Sequence, residues 1–265
     1  MKSFAVNGTE LWREDRGSGK PLLLVHGFPL NHTMWAGQID VISTQYRVIA
    51  PDLRGFGRSD SRPEEKVTMD QFADDLAALL DALEIHEPIV FCGLSMGGYI
   101  AFPFVQKYAD RIGGLILCDT RAAADAPAVA EGRLVAANRV LKEGTKFLVD
   151  AMLPRLLANE TFERHPHVVE GLRAMMMSAP PHGIAAAQRG MAERRDATDS
   201  LAKIACPTLV LVGEEDASSP PAEMREMARR IPRSQFVEIP AAGHLSPLEN
   251  PAAVNAAILE FLQTL

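Results

Sequence analysis

The stretch Phe91-Cys92-Gly93-Leu94-Ser95-Met96-Gly97-Gly98 decides the fold of this chain. The short, apolar and partly β-branched run 88–92 leads into it and predicts a buried strand. The run 96–108 follows and predicts a helix. A serine between two glycines at such a junction occupies a sharp, strained turn that pushes its Oγ out of the sheet. The stretch therefore predicts that Ser95 is a nucleophile at the end of a buried strand.

The glycines two residues before and after the serine give this prediction a steric basis. A Cβ at Gly93 or Gly97 would clash where the strand and the helix nearly touch. The pattern G-x-S-x-G is not decisive by itself, because it occurs by chance in about one chain in ten of this length. A glycine-flanked surface turn is the alternative interpretation. The position between a strand and a helix, and the motifs elsewhere in the chain, favour the catalytic one.

Composition argues against several classes of function. The chain has 265 residues, 47% of them hydrophobic, which is enough for a sizeable core, and its net charge is −7. Lysine and arginine form no cluster or stripe, so we expect no binding to nucleic acid. No apolar run approaches the ~18 residues that a membrane helix needs, and the start of the chain has no apolar signal-peptide region. We therefore expect a cytoplasmic protein that does not bind membranes.

The cysteines and histidines give no sign of a metal site or a cofactor. Cys92, Cys118 and Cys206 are widely spaced, and each adjoins an apolar, strand-like run, which is typical of reduced, buried thiols. His165 and His167 have no cysteine or acidic partner at metal-ligand spacing. We expect the protein to need neither metal nor cofactor.

Apolar runs that alternate with helical patterns predict an α/β fold. Strand patterns occur at residues 3–6, 11–14, 21–26, 46–50, 88–92, 114–118, 208–212 and 235–239. Asn7-Gly8 joins the first two and is a strong hairpin signal. The later runs are almost continuously apolar, which is typical of parallel strands buried on both faces. With an amphipathic helix predicted at 69–83 and a terminal helix at 252–265, we expect a mostly parallel, roughly eight-stranded sheet flanked by helices.

Residues 122–198 interrupt this alternation. They are helical in pattern and rich in alanine, methionine and arginine. Four prolines are expected to break the helices there: Pro154, Pro166, Pro180 and Pro181. We interpret the segment as a helical cap inserted over the carboxyl ends of the strands. The domain division predicted is a core of residues 1–121 and 199–265 with a cap of residues 122–198.

Two residues that follow predicted strands complete a set for acyl transfer. Such chemistry needs a base for the serine proton, an acid that orients the base, and hydrogen-bond donors for the oxyanion. His244, on a loop of small residues, is the candidate base, and Asp216 is the candidate acid. The order Ser95, Asp216, His244 is typical of one group of serine hydrolases.

Other acidic residues offer alternatives. Asp119, just past the strand pattern at 114–118, competes with Asp216 for the role of the acid. Glu249, just before the predicted terminal helix, is interpreted as an acid that complements a helix N-terminus.

Five motifs in order resemble those of the α/β-hydrolase superfamily, and they extend over nearly the whole chain. They are Val25-His26-Gly27-Phe28-Pro29, Pro51-Asp52-Leu53-Arg54-Gly55-Phe56-Gly57-Arg58-Ser59, Gly93-Leu94-Ser95-Met96-Gly97-Gly98, Gly213-Glu214-Glu215-Asp216 and Gly243-His244. Within the superfamily the chain resembles the small bacterial esterases, enol-lactonases and cofactor-free haloperoxidases. The segment 122–198, which shapes the substrate pocket, is the part where the resemblance is least informative.

The resemblance implies an oxyanion hole made by the backbone N–H groups of Phe28 and Met96. Met96 follows the nucleophile at a helix N-terminus, whose dipole favours developing negative charge. Phe28 has an N–H to donate, whereas Pro29 has none. His26 is expected to orient this loop by hydrogen bonding.

The function that the resemblance implies is a serine carboxylesterase that acts on small to medium, uncharged esters through an acyl-enzyme. An enol-lactonase is an alternative, in which cap arginines would bind a substrate carboxylate, although surface charge is their simpler interpretation. Those arginines are Arg155, Arg173, Arg189, Arg194 and Arg195. A perhydrolase is a further alternative, because Pro29 resembles the loop of the haloperoxidases, and a non-catalytic binding protein on this fold is another. We expect a small-molecule ester as partner, and the oligomeric state, a homo-oligomer included, stays open.

Overall fold

An eight-stranded sheet forms the centre of the computed structural model, which describes residues 3–265. Its strands are β1 (Ser3–Val6), β2 (Thr9–Arg16), β3 (Pro21–Val25), β4 (Arg47–Pro51), β5 (Ile89–Leu94), β6 (Ile112–Cys118), β7 (Thr208–Gly213) and β8 (Ser234–Ile239). Their order is β1-β2-β4-β3-β5-β6-β7-β8. The two pairs that include β2 are antiparallel, and all pairs from β4 to β8 are parallel. The predicted fold class is confirmed, while Met1 and Lys2 lie outside the described residues.

The turn between β1 and β2 has the geometry that its sequence predicts. Asn7 and Gly8 both have positive φ, +45° and +75°, as a two-residue hairpin with the right-handed strand twist requires. Val6 pairs directly with Thr9 across the turn. The Asn7-Gly8 hairpin prediction is therefore confirmed.

Eleven α-helices occur within residues 3–265. They are α1 (Ala36–Ile42), α2 (Met69–Ala82), α3 (Met96–Lys107), α4 (Pro127–Glu143), α5 (Lys146–Leu156), α6 (Asn159–Arg164), α7 (Pro166–Ser178), α8 (Pro181–Ala192), α9 (Pro221–Arg230), α10 (Ser246–Glu249) and α11 (Pro251–Leu262). The predicted helices at 69–83 and 252–265 correspond to α2 and α11. Their ends differ by one to three residues from the predicted ones, as is usual for helix termini.

Both faces of the sheet are buried, so every side chain of the central strands faces apolar core. On β3, Leu23 packs in a cluster with Phe72 of α2, and Leu24 packs in a second cluster with Phe261 of α11. Each fully buried side chain of this kind contributes about 1.5–3 kcal/mol. This two-sided burial explains why the central strands carry continuous apolar runs rather than alternating ones.

The helices α4–α8 are inserted between β6 and β7. Helix α8 approaches the core so closely that a Cβ on Gly183 would overlap the backbone of Gly55. Pro166 and Pro181 begin α7 and α8, and Pro180 is the residue that caps α8, as expected of helix breakers. The prediction for Pro154 was wrong, because it lies inside α5, within three residues of its end. There it removes one hydrogen bond, to the carbonyl four residues earlier, without ending the helix. The division into core and cap at 122 and 198 stays a prediction.

Three further findings bear on the composition analysis. Within residues 3–265, every helix is too short or too polar to cross a membrane. The same part of the chain contains no group of three or more His, Cys, Asp or Glu side chains that could hold a metal ion. Cys92, Cys118 and Cys206 are all free thiols, the first two buried and the third partly exposed.

Candidate active site

Ser95 lies on a strained turn between β5 and α3. Its φ is +53°, which non-glycine residues rarely adopt. Two hydrogen bonds hold the turn: the Ser95 N–H donates to the Cys118 carbonyl over 3.0 Å, and Thr120 Oγ1 donates to the Ser95 carbonyl over 2.8 Å. Cys118 is the last residue of the neighbouring strand β6, and Thr120 lies two residues after it. The predicted strained turn at Ser95 is thus present, and its neighbour strand holds it in place.

The glycines around Ser95 are required by close approach of the backbone. A Cβ on Gly93 would overlap the backbone of Gly97, and a Cβ on Gly97 would overlap the Val25 carbonyl of β3. The first contact joins strand and helix, as the sequence pattern predicts. The second was not predicted, because it depends on how α3 crosses the neighbouring strand.

A chain of hydrogen bonds connects Ser95, His244 and Asp216 at the carboxyl ends of β5, β8 and β7. His244 Nε2 lies 2.9 Å from Ser95 Oγ, and His244 Nδ1 lies 2.8 Å from Asp216 Oδ2. The other Asp216 oxygen accepts hydrogen bonds from the N–H groups of Ser218 and Ser219, at 2.7 and 2.8 Å. The structure therefore brings together the three side chains chosen from the sequence.

The charges around His244 suit its imidazole to act as a base. Burial by itself lowers the pKa of His244, but the Asp216 carboxylate raises it by charge and by hydrogen bonding, and the net pKa lies above its usual value. A neutral imidazole that donates Nδ1–H to Asp216 leaves Nε2 free to accept the Ser95 proton. Asp216 thus fixes the tautomer that proton transfer needs.

Asp119, the competing candidate for the acid, is bonded elsewhere. Its carboxylate accepts hydrogen bonds from the Gly213 N–H over 2.9 Å and from Ser246 Oγ over 2.6 Å. It is fully buried, and burial together with the charge of Asp216 raises its pKa. In the structure the histidine pairs with Asp216, while Asp119 links the ends of β6 and β7 to α10.

The backbone N–H groups of Phe28 and Met96, which the resemblance implies as oxyanion donors, lie on the loop after β3 and at the start of α3. Within residues 3–265 neither N–H has a hydrogen-bond acceptor, and Met96 begins α3 directly after the serine. Phe28 lines the same cavity as Ser95 and His244. Both N–H groups can therefore donate to a group bound in the cavity, and their role as an oxyanion hole stays a prediction.

His26 holds the loop that carries Phe28. Its Nε2 accepts the Leu53 N–H over 3.0 Å, and Nδ1 lies 2.9 Å from the Gly27 carbonyl, to which it donates. Burial lowers the pKa of His26 to about 4, so the ring is neutral and can accept and donate at once. The hydrogen bonding expected of His26 is therefore observed.

A cavity of about 540 Å³ lies over Ser95 and His244. Its apolar wall comes mainly from α4, α5 and α8, with Leu148 and Met152 among the lining side chains. This volume falls in the usual range for small-molecule sites. The inserted helices therefore shape the space in which a substrate would sit.

Three arginines line the cavity: Arg121, Arg133 and Arg155. Arg133 is neutralised by Asp125 at 2.6 Å, and Arg121 lies 3.4 Å from Glu223. Arg155 has no hydrogen-bond or ion-pair partner within residues 3–265. The cavity thus contains one cation that no side chain of the described chain neutralises.

Four of the five arginines named from the sequence lie outside this cavity. Arg173 pairs with Asp150, Arg195 with Asp70, and Arg194 is buried against Asp125. Arg189 donates to Asn138 and to the Glu65 carbonyl. Sequence reasoning missed Arg133, because helical spacing alone does not tell which arginine of an insertion turns towards a cavity. It missed Arg121 because that residue lies on the loop between β6 and α4, before the predicted insertion.

The fold and this geometry agree with comparisons to known proteins. A family model described as the alpha/beta hydrolase fold matches residues 20–251. The chain belongs to the α/β-hydrolase family. The resemblance found in the five motifs is thereby confirmed.

Solved structures of esterases, lactonases and haloperoxidases are similar to this α/β hydrolase. A thermophilic esterase from Thermogutta terrifontis, determined with malate bound, is 55% identical, has a TM-score of 0.96 and matches over 99% of this chain and 97% of its own. The enol-lactonase from Burkholderia xenovorans LB400 is 33% identical, with a TM-score of 0.91 over 98% and 99%. A bromoperoxidase from Bacillus anthracis is 27% identical, with a TM-score of 0.84 over 96% of both chains.

Proposed function

We propose that this α/β hydrolase is a serine carboxylesterase for small to medium carboxylic esters. The observation that carries the proposal is the series of hydrogen bonds from Ser95 through His244 to Asp216, with Ser95 and His244 lining a cavity under the inserted helices. Two N–H groups without an acceptor stand beside the serine. A nucleophile, a base, an orienting acid and oxyanion donors are the set that acyl transfer needs.

The reaction proceeds in two halves. His244 Nε2 takes the proton of Ser95 Oγ as the oxygen attacks the ester carbonyl, and the N–H groups of Phe28 and Met96 bind the oxyanion. The tetrahedral intermediate collapses to an acyl-enzyme when His244 returns the proton to the departing alcohol. Water, activated by the same histidine, then attacks the acyl-enzyme and releases the acid. Asp216 stabilises the imidazolium that forms in each half.

The lining of the cavity predicts the chain-length profile. We expect turnover of p-nitrophenyl acetate and butyrate to exceed that of the octanoate and dodecanoate esters, because Arg121, Arg133 and Arg155 interrupt the apolar wall on which a long acyl chain would pack. The measurement is the initial rate on the four esters, corrected for the rate of the Ser95→Ala variant. Fastest turnover of the dodecanoate would contradict the expected preference, and absence of serine-dependent turnover on every ester would contradict the proposed function.

The position of Arg155 favours a second candidate function, which is hydrolysis of an ester or lactone that bears a carboxylate. Arg155 lines the cavity without a partner inside the described chain. Its guanidinium can therefore form charge-assisted hydrogen bonds with a substrate carboxylate. Two similar proteins support this reading: one is an enol-lactonase, and the other is an esterase determined with malate bound. The chemistry at Ser95 is the same for this substrate class.

A matched pair of esters tests the role of Arg155. Mono-p-nitrophenyl succinate differs from p-nitrophenyl butyrate only in a carboxylate that replaces the terminal methyl group. We expect Arg155→Met to lower kcat/KM for the succinate about twofold to fivefold relative to the butyrate, since Arg155 is exposed and an exposed ion pair contributes up to about 1 kcal/mol. Arg173→Met is the control, because Arg173 already pairs with Asp150. An equal effect of both variants on the two esters would refute carboxylate binding by Arg155.

A further inference from the structure

Glu249 lies five residues after His244, in the first turn of the four-residue helix α10. The residue that caps the terminal helix α11 is Asn250, whose side chain accepts the Ala253 N–H. Glu249 is therefore a helix N-terminal acid, as the sequence predicts, but it does not cap α11. Its carboxylate is directed at two other parts of the chain.

One oxygen of Glu249 holds the backbone on both sides of His244. Glu249 Oε1 accepts the Gly243 N–H over 2.8 Å and the Leu245 N–H over 3.2 Å. The peptide groups that flank the histidine are thereby anchored to a single atom. The imidazole must contact both Ser95 and Asp216, so a small displacement of the His244 backbone would lengthen at least one of the two hydrogen bonds.

The other oxygen of Glu249 reaches the inserted helices. Glu249 Oε2 accepts the Ala158 N–H at the start of α6 over 2.7 Å and the Thr161 hydroxyl over 2.7 Å. A second link runs beside it, because the His244 N–H donates to the Leu156 carbonyl at the end of α5 over 2.9 Å. The histidine loop is therefore tied to α6 by the Glu249 carboxylate and to the end of α5 by the His244 N–H.

We propose that Glu249 is a positioning residue that fixes the loop of His244 and ties it to α6, one of the inserted helices. The proposal rests on the proposed function, in which His244 is the base. Glu249 does not touch the reacting atoms, and it acts through the histidine. Charge-assisted hydrogen bonds to backbone N–H groups are strong enough to set a loop conformation, and all four donors here converge on one side chain.

The variant that tests the proposal is Glu249→Gln, which keeps the size of the side chain. The glutamine side chain has one accepting oxygen and one NH₂ group, which cannot accept. It can therefore keep the hydrogen bonds to one pair of donors, those at His244 or those at α6, but not both. We expect kcat to fall about tenfold to a hundredfold with KM nearly unchanged, because a misplaced base slows chemistry and leaves the cavity intact. Glu215→Gln is the matched control: Glu215 also contacts α6, through the Asn159 N–H at 3.3 Å, but does not hold His244.

A readout that does not depend on turnover separates this proposal from the proposed function. The His244 Nδ1 proton bonded to Asp216 should give a downfield proton resonance, assigned by its loss in Asp216→Asn. We expect Glu249→Gln to shift or broaden that resonance and Glu215→Gln to leave it unchanged. If the wild type hydrolyses no ester, the proposed function fails, while the resonance still decides whether Glu249 positions the histidine.

A milder variant covers the case in which Glu249→Gln does not fold. Thr161→Val removes one donor to Oε2 and preserves shape, so we expect a smaller fall in kcat, again at constant KM, with a shifted resonance. Wild-type kcat and an unchanged resonance in this variant would overturn the tie to the inserted helices. A folded Glu249→Gln protein with wild-type kcat and resonance would overturn the proposal as a whole.

Discussion

Replacing Ser95 with alanine is expected to lower kcat on short esters by about 10⁴-fold or more. The variant lacks the oxygen that attacks the carbonyl, while the N–H groups of Phe28 and Met96 remain. The measurement is steady-state hydrolysis of p-nitrophenyl acetate at saturating substrate, with thermal unfolding to confirm that the protein is folded.

The control for this variant is a serine outside the cavity. Ser178 ends α7, is exposed, and donates to the Met175 carbonyl. We expect Ser178→Ala to retain wild-type kcat. Should folded Ser95→Ala keep a tenth or more of the wild-type rate, hydrolysis would not proceed through Ser95.

Replacing Asp216 with asparagine is expected to have the next largest effect, and to change the pH dependence as well. The base is active only when His244 is neutral, so activity rises with pH through the pKa of His244. Asp216 raises that pKa. In wild type the rise is therefore centred above the usual histidine value of about 6.5. Without the carboxylate, burial lowers the pKa, and the midpoint moves to lower pH.

The rate at high pH should fall together with this shift. Asparagine stabilises neither the needed tautomer nor the imidazolium, a loss of about 10⁴-fold in kcat. The measurement is kcat/KM from about pH 5 to 9 for wild type, Asp216→Asn and the control Asp199→Asn, since Asp199 is exposed. A midpoint that stays at the wild-type pH in Asp216→Asn would show that another acid, such as Asp119, sets the pKa.

Local signals explain why much of the fold could be predicted. The two-residue turn between β1 and β2 needs positive φ at both positions, which few dipeptides tolerate. Asn7-Gly8 is one that does, and the hairpin is present. The continuous apolar runs of the central strands follow from burial on both faces. The choice of Ser95, Asp216 and His244 depended on each following a strand, because the carboxyl ends of parallel strands meet at one edge.

Contacts between distant segments explain what could not be predicted. Thr120 clamps the Ser95 turn from the end of β6, and Glu249 joins the His244 loop to α6. Neither residue belongs to a spacing pattern, since its partners are brought together by the packing of separate elements. The helix-breaker prediction for Pro154 also failed: a proline inside a helix removes one hydrogen bond, yet α5 continues through it with Leu153 and Leu156 buried on either side.

The central claim is that Ser95 is a nucleophile activated by His244, and covalent labelling tests it most directly. The protein would be treated with a fluorophosphonate, and the modified residue would be located by mass spectrometry of its peptides while ester hydrolysis is followed in parallel. The account predicts one label, on Ser95, that forms as activity is lost and that forms far more slowly in His244→Ala. Full loss of ester hydrolysis with Ser95 unlabelled, or labelling of Ser95 at the same rate in His244→Ala, would contradict it.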